Sequence, residues 1–214
     1  MDKAAVFIDG GYLAKVLKDF GEPKIDFLRM SDFFCEKAGA ERFRTYYYFC
    51  MPYQSPQPTQ EERERYMRAD KFINYLKKLP RFEVRLGKLG RRTYRCSNCG
   101  SSSIEYEQKR ADNLLTVDLV GLSWRGVIQK AILLTGDSDF VPAVQEAKRA
   151  DVLVTIWYAR TRNCTIHDEL YAECDERFEL DKETIALLTL EPKTSSSSSD
   201  SGNWNSGEKR TYNR

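Results

Sequence analysis

No apolar run in the sequence approaches the roughly 18 residues that a membrane-spanning helix needs, so no membrane segment is expected. The first residues, Met1-Asp2-Lys3-Ala4-Ala5-Val6, carry neither the apolar stretch nor the cleavage site of a signal peptide, and the expected location is the cytoplasm. Six cysteines in 214 residues are too sparse for a disulfide scaffold, and a cytoplasmic chain keeps them reduced. Histidine is nearly absent. The one residue, His167, is expected to serve packing or a local hydrogen bond, which leaves a histidine general base out of account. Neither sign of charge dominates. Lys and Arg number 34 against 32 Asp and Glu, a formal net charge of +2. That balance excludes a polybasic protein that holds nucleic acid by bulk charge but permits a local basic groove.

What is present reads as one domain and a tail. Residues 1–191 contain no internal repeat, and 41% of the whole chain is hydrophobic. Residues 192–214 change character: from Thr194 the sequence runs TSSSSSDSGNWNSGEKRTYNR, too polar to offset the entropy of ordering it, and it is predicted to be disordered. Within the domain, short apolar segments alternate with helical patterns. Strands are predicted over Ala4–Ile8, Arg42–Met51, Phe82–Leu86, Ala131–Thr135, Val152–Tyr158 and Arg177–Leu180. Helices are predicted over Tyr12–Phe20, Asp26–Ala38, Gln60–Leu79, Asp112–Leu122, Phe140–Ala150 and Asp181–Leu190. The third helix has a capping threonine, Thr59, followed by acidic residues. This alternation implies βαβ units, hence an α/β fold with a mostly parallel central sheet covered on both faces.

In such folds the working groups sit beyond the carboxyl ends of the strands. Two predicted strands end in carboxylates, one at Asp9-Gly10-Gly11 and one at Gly136-Asp137-Ser138-Asp139. Each motif alone is also an ordinary strand-to-helix turn, with an Asp or Ser cap and, in the second, Pro142 early in the helix. Were the two strands neighbours, Asp9, Asp137 and Asp139 would share one crevice, and Asp112 could add a fourth carboxylate. Asp118 is a further candidate, but six residues beyond Asp112 it stands about 240° around the helix. Crowded carboxylates repel each other unless a cation is present. An all-oxygen set suits Mg²⁺ or Mn²⁺, which can activate water and clamp a phosphate oxygen.

Several blocks of sequence resemble the NYN domain, a branch of the PIN-like nuclease superfamily. They are VFIDGGYL from Val6, YYYFCMPYQSPQPTQEERERY from Tyr46, RFEVRLGKL from Arg81, QKRADNLLTVDLV from Gln108, LLTGDSDFVPAV from Leu133 and CDERFELD from Cys174. The resemblance implies a three-layer α/β/α fold and a metal-dependent ribonuclease, an endonuclease by expectation, that acts in RNA processing or decay. It also implies roles: Asp9, Asp112, Asp137 and Asp139 hold Mg²⁺ or Mn²⁺, Asp118 matches a less central acidic position, and Lys109 positions a carboxylate or the phosphate. Many members carry an asparagine where this chain has Tyr12. Haloacid-dehalogenase-type phosphatases need an Asp two residues after the first-strand Asp, and Gly11 stands there. A non-catalytic RNA-binding or adaptor module remains the alternative class, although it would have no need of the full acidic set.

Two further features lie between the third strand and the Asp112 helix. Cys96-Ser97-Asn98-Cys99 is half of a structural zinc site, since zinc wants four ligands. Cys35, Cys50, Cys164, His167 and Cys174 are the remaining candidates. Reduced structural cysteines, or a site bridging a homodimer, are the alternatives. Around them Arg81, Arg85, Lys88, Arg91, Arg92, Arg95, Lys109 and Arg110 interleave with Tyr94 and Tyr106. This pattern suits a path for single-stranded RNA, and equally a solvated hairpin. One prediction follows from composition alone. Deleting Thr194–Arg214 changes unfolding free energy by less than about 0.5 kcal/mol, as for a segment without buried contacts; a clear drop in melting temperature would show that the tail docks.

Overall fold

The computed structural model describes residues 1–95, 99, 101–109 and 111–190, with the backbone alone described over 88–95 and 102–109. The order of elements is β1 (Lys3–Asp9), α1 (Gly10–Asp19), α2 (Phe27–Lys37), β2 (Glu41–Cys50), α3 (Gln60–Leu76), β3 (Phe82–Arg95), β4 (Ser102–Lys109), α4 (Ala111–Trp124), β5 (Lys130–Leu134), a 3-10 turn (Ser138–Phe140), α5 (Val141–Arg149), β6 (Leu153–Tyr158), α6 (Asp168–Glu173), β7 (Glu176–Glu179) and α7 (Lys182–Leu188). The strands form one sheet in the order β4-β3-β2-β1-β5-β6-β7. All neighbours are parallel except β3 and β4, which form an antiparallel hairpin at one edge.

β1 sits at the centre, and Ala4 through Ile8 have no exposed surface. Successive residues of a strand point to opposite faces, so a strand buried on both sides reads as a continuous apolar run. Ala4, Val6 and Ile8 join a core with Leu13 and Val16 of α1, Met30 and Phe34 of α2, Leu76 of α3 and Ile185 of α7. Ala5 and Phe7 face the other way, onto Leu115 and Leu119 of α4, Val144 of α5 and Leu170 of α6. The result is a three-layer α/β/α sandwich.

Local chemistry accounts for the element ends. Asp9 caps α1 through Oδ1, accepting from the Gly11 and Tyr12 amides at 2.9 and 3.1 Å. Asp26 caps α2 in the same way. Thr59 and Glu62 form a reciprocal capping box at the start of α3. Asp137 caps the 3-10 turn by accepting from the Asp139 amide at 3.0 Å, and Pro142 lies in the first turn of α5. The capping reading of Asp9 and Asp137 is therefore correct as far as it goes.

Three sequence readings need correction. The third strand extends beyond Leu86 to Arg95 and pairs with β4, as the hairpin alternative implies, and the predicted elements lack β4 and α6. The segment predicted as a helix from Asp181 starts one residue later, with Asp181 as its cap through the Thr184 amide at 2.8 Å. The tail at 192–214 lies outside the described residues. Among the described residues, no helix is long and apolar enough to cross a membrane.

Two helical glycines make opposite predictions. A Cβ on Gly10 would stand 2.6 Å from the Tyr48 carbonyl oxygen and 2.8 Å from the Tyr47 ring, whereas one on Gly121 of α4 meets nothing within 4 Å. Gly10→Ala should destabilise the fold by about 1–3 kcal/mol through overpacking. Gly121→Ala should stabilise it by about 0.5–1 kcal/mol through helix propensity. Urea titration of both variants checks the pair of signs.

Candidate functional site

The chain passes from β1 outward through β2 and β3, then crosses to β5 on the other side of β1. Such a reversal opens a crevice at the carboxyl ends of the two central strands. Register fixes its floor: Ile8 pairs with Leu134, so Asp9 and Thr135 lie side by side at the strand ends. The Thr135 hydroxyl donates to Asp9 Oδ2 at 3.3 Å. A cavity of about 430 Å³ opens there, and Asp9, Asp112 and Asp137 all line it.

The electrostatics show how closely these carboxylates are grouped. Burial pushes the Asp9 carboxyl above its usual range, against the hydrogen bonds from the Tyr12 and Gly11 amides and from Thr135, and against the charge of Lys15. The Asp112 carboxyl is also raised, first by desolvation and then by the negative charges of Asp9, Asp137 and Asp139. Asp139 is not part of the cavity wall, but its field reaches Asp112. The four predicted carboxylates thus act on one site.

Each of them also sits at a helix start. Asp9 caps α1, Asp112 lies in the first turn of α4, and Asp137 caps the turn that leads into α5. The positive ends of these elements stabilise negative charge there, by about 0.3–1 kcal/mol each where solvent-exposed. Lys15, one turn beyond Tyr12, brings a cation to the cavity wall.

Asp118 belongs elsewhere. Its Oδ2 accepts from the Tyr48 hydroxyl at 3.0 Å and from Arg85 Nε at 2.9 Å, in a separate pocket on the flank of α4. The rotation around the helix keeps it from the acidic cavity, so it is withdrawn as a metal ligand. Lys109 has a described backbone only, and Arg110 lies outside the described residues.

Tyr12 is committed to structure. Its hydroxyl accepts from the Ala159 amide at 2.9 Å. A Cβ on Gly136 would stand 2.6 Å from its ring. Burial pushes the phenol up to about 12, so it stays neutral. Tyr12 therefore braces the loops after β5 and β6 and does not serve as a polar ligand.

The loop after β6 supplies residues that spacing could not reveal. Asn163, Cys164, Thr165 and His167 line the cavity. The His167 amide donates to the Gly136 carbonyl at 3.1 Å, which ties this loop to the Gly136-Asp137 turn. Among the cysteines proposed for zinc, Cys99 is exposed with its sulfur 3.0 Å from Ser101 Oγ, and Cys96 lies outside the described residues. Cys50 is buried at the end of β2, where burial and the charges of Asp112 and Asp9 raise its thiol. Cys35 and Cys174 are buried in the two cores. β3 and β6 lie on opposite sides of the central strands, which separates Cys164 and His167 from the hairpin.

Among the described residues, no three His, Cys, Asp or Glu side chains stand close enough to enclose a metal ion. The donor chemistry nevertheless fits a hard cation, because four carboxylates bear on one cavity and their repulsion is only partly offset by Lys15. Magnesium in particular is commonly held by one or two carboxylates, with waters and substrate phosphates completing its shell.

The raised Asp112 carboxyl has a stability consequence. An acid raised by folding costs stability once pH exceeds its unfolded value, and that cost disappears as pH falls through the folded value. Without divalent ions, Asp112→Asn should therefore melt above the parent at neutral pH, with the gap closing toward about pH 4. Thermal melts in chelator at both pH values check this; a variant less stable than the parent at neutral pH would contradict the assigned repulsion.

Comparison with known proteins agrees with this architecture. The chain is similar to a solved protein of unknown function from Vibrio parahaemolyticus RIMD 2210633, with 18% identity and a TM-score of 0.50 over 85% of this chain and 94% of that one. At that identity the likeness speaks for the fold alone. No curated protein matches. The NYN domain model matches residues 3–188, from the first strand to the last helix and across Asp9, Asp112, Asp137 and Asp139, and the chain belongs to the NYN domain family, within the PIN-like nuclease superfamily.

Proposed function

We propose that the protein is a metal-dependent ribonuclease that hydrolyses RNA phosphodiester bonds in the acidic cavity. The observation that carries this reading is that Asp9, Asp112 and Asp137 line one cavity at the switch point of the sheet, where burial first, and then the charges of Asp9, Asp137 and Asp139, raise the Asp112 carboxyl. An adaptor has no use for such repulsion. A nuclease uses it to hold a cation, at a small cost to its metal-free fold.

One or two of Asp9, Asp112 and Asp137 would hold Mg²⁺ or Mn²⁺, with waters and phosphate oxygens completing its shell, and Asp139 adds to the negative field. The ion supplies an activated water and neutralises charge on the phosphate. The remaining work falls to the chain. The Thr135 hydroxyl and the Gly11 and Tyr12 amides fix the rotamer of Asp9, so its carboxylate needs little reorganisation to bind. The Lys15 ammonium, on the cavity wall, can accept a phosphate oxygen as partner. Thr165, also on the cavity wall, offers a neutral hydroxyl suited to a ribose or base edge, whereas the Asn163 side-chain amide is given to Asp19 at 2.6 Å.

Asp112, Asp137 and Asp139 are exposed at the cavity rim. Such a rim admits a strand passing through and does not require a free terminus, which favours endonucleolytic cleavage. Lys109 keeps the positioning role that the family resemblance implies.

The test is charge removal at constant size. Asp137→Asn and Asp9→Asn should each reduce Mn²⁺-dependent cleavage of labelled single-stranded RNA by about 10²-fold or more, the scale of losing a main electrostatic contribution. The fold should survive, since asparagine also caps helices well. RNA binding should persist or tighten, because binding rests on cations and the cavity loses negative charge. Mn²⁺ should raise the melting temperature of the parent more than that of either variant. Undiminished cleavage by Asp137→Asn would place the activity at another site or in a contaminant. No cleavage by the parent under any divalent ion would favour the adaptor.

A further inference from the structure

A second pocket, of about 490 Å³, lies on the flank of the sheet between β2, β3 and α4. Arg44, Tyr46, Arg85, Val117, Asp118 and Arg125 bound it. Nothing in the proposed reaction uses it. α4 joins it to the acidic cavity: Asp112 opens the helix at one site, and Arg125 follows its last residue at the other, ~20 Å along the axis.

The charges in this pocket are not balanced. Arg85 pairs with Asp118 at 2.9 Å and with Glu83 at 3.1 Å, and Arg44 shares Glu83. Arg125 has no carboxylate partner among the described residues, and its charge reaches the Tyr46 hydroxyl. There it joins Arg44 and Arg85 in opposing the rise that burial imposes on that phenol. Three guanidinium groups therefore meet two carboxylates. Arg44 Nε is moreover buried without a hydrogen-bond partner. A closed structural network would leave no cation in excess and no donor unanswered.

The rest of the surface is aromatic and apolar. The Arg85 guanidinium lies 5.5 Å from the centre of the Tyr46 ring, and that of Arg44 lies 5.5 Å from the centre of the Phe43 ring. Guanidinium groups beside aromatic rings offer both charge for phosphates and planar surface for bases. On α4, Val117 is 67% exposed and lines the groove, and Trp124, seven residues on and 59% exposed, extends the apolar surface along the same helix face. A bare inorganic anion would leave this apolar ridge unused. A nucleotide chain uses both parts, with phosphates on the arginines and bases on the rings.

We propose that this groove is a second contact for the RNA strand whose scissile phosphate occupies the acidic cavity. It holds the strand along α4, away from the cleavage point. The proposal rests on the ribonuclease reading and adds to it how a polyanion is retained beside a cluster of carboxylates.

The experiment measures binding in an Asp137→Asn background, where turnover is lost, by fluorescence anisotropy with labelled single-stranded RNA. The probes are an oligouridylate of ~16 nucleotides, the upper end of single-strand site sizes, and a trinucleotide too short to reach both sites. Adding Arg125→Ala should weaken the long oligomer several-fold and lower its log–log salt slope by about 0.7, the value of one single-strand phosphate contact. It should leave the trinucleotide unaffected. Val117→Lys should tighten the long oligomer and Val117→Glu should weaken it. Both positions are exposed, so the fold is not at stake, and circular dichroism verifies that.

If the parent cleaves RNA but Arg125→Ala and Val117→Glu leave the affinity and salt slope of the long oligomer unchanged, the groove is not an RNA contact and the ribonuclease reading stands without it. If Val117→Glu instead converts a sedimenting dimer to a monomer with RNA affinity unchanged, the face joins two copies of the chain and the proposal is overturned. If the parent neither binds nor cleaves the long oligomer in Mg²⁺ or Mn²⁺, the ribonuclease reading fails, and this inference with it.

Discussion

The structure depends on one strand that no solvent reaches. Ala4 through Ile8 hydrogen-bond to β2 on one side and β5 on the other, and their side chains fill two separate cores. No charged residue is tolerated within that run. Asp9 is the last residue of the strand, still paired with Tyr48 of β2 but past the pairing with β5, and the start of α1 is there to receive its carboxylate. The site's location is thus a consequence of packing: a carboxylate can stand at the centre of this sheet only at the strand's end. β5 repeats the pattern, with Ala131 through Leu134 buried and Asp137 beyond them.

The same placement resolves the two readings of the aspartate motifs. Capping a helix and holding a cation are usually weighed as rivals, yet here one carboxylate oxygen can serve each. Asp9 gives Oδ1 to the α1 amides and meets the Thr135 hydroxyl with Oδ2. The helix starts and Lys15 offset part of the repulsion, while burial and the remaining carboxylate charge together raise Asp112. A carboxylate fixed by its own cap through Oδ1 is also preorganised at Oδ2, so the local order that ends the strand orients the whole group.

Much of this was legible in the sequence because it is periodic. β1, β2, β5 and β6 read as apolar runs, and the helices that cover them follow the helical repeat. The 240° separation on α4 correctly set Asp118 apart from Asp112, and the structure finds it paired with Arg85. What escaped notice was set by topology. Asn163, Thr165 and His167 reach the cavity because β6 lies beside β5 and its loop turns back over Gly136. No spacing relates them to Asp9. β4 was hidden because the alternation through Glu105, Tyr106 and Glu107 lies amid charges and serines, and α6 because six residues hold too little of a 3.6-residue repeat to register. Lys15 could have been found: six residues after Asp9, it stands on the first turns of a helix whose start was already in view.

The near-zero net charge conceals a segregation of the two signs along α4. A formal charge of +2 attracts no polyanion by itself, and the acidic cavity repels one. α4 spans the two regimes, with Asp112 in its first turn and Arg125 just past its last residue. This arrangement matches the helix's own dipole at both ends, so each charge is placed where the backbone favours it. Exchanging the two ends would oppose the dipole twice and would also put an arginine among the carboxylates, where it would compete with a metal ion for them. The polarity of a single helix thus keeps the carboxylates of the cavity and the arginines of the groove apart while holding them at a fixed separation.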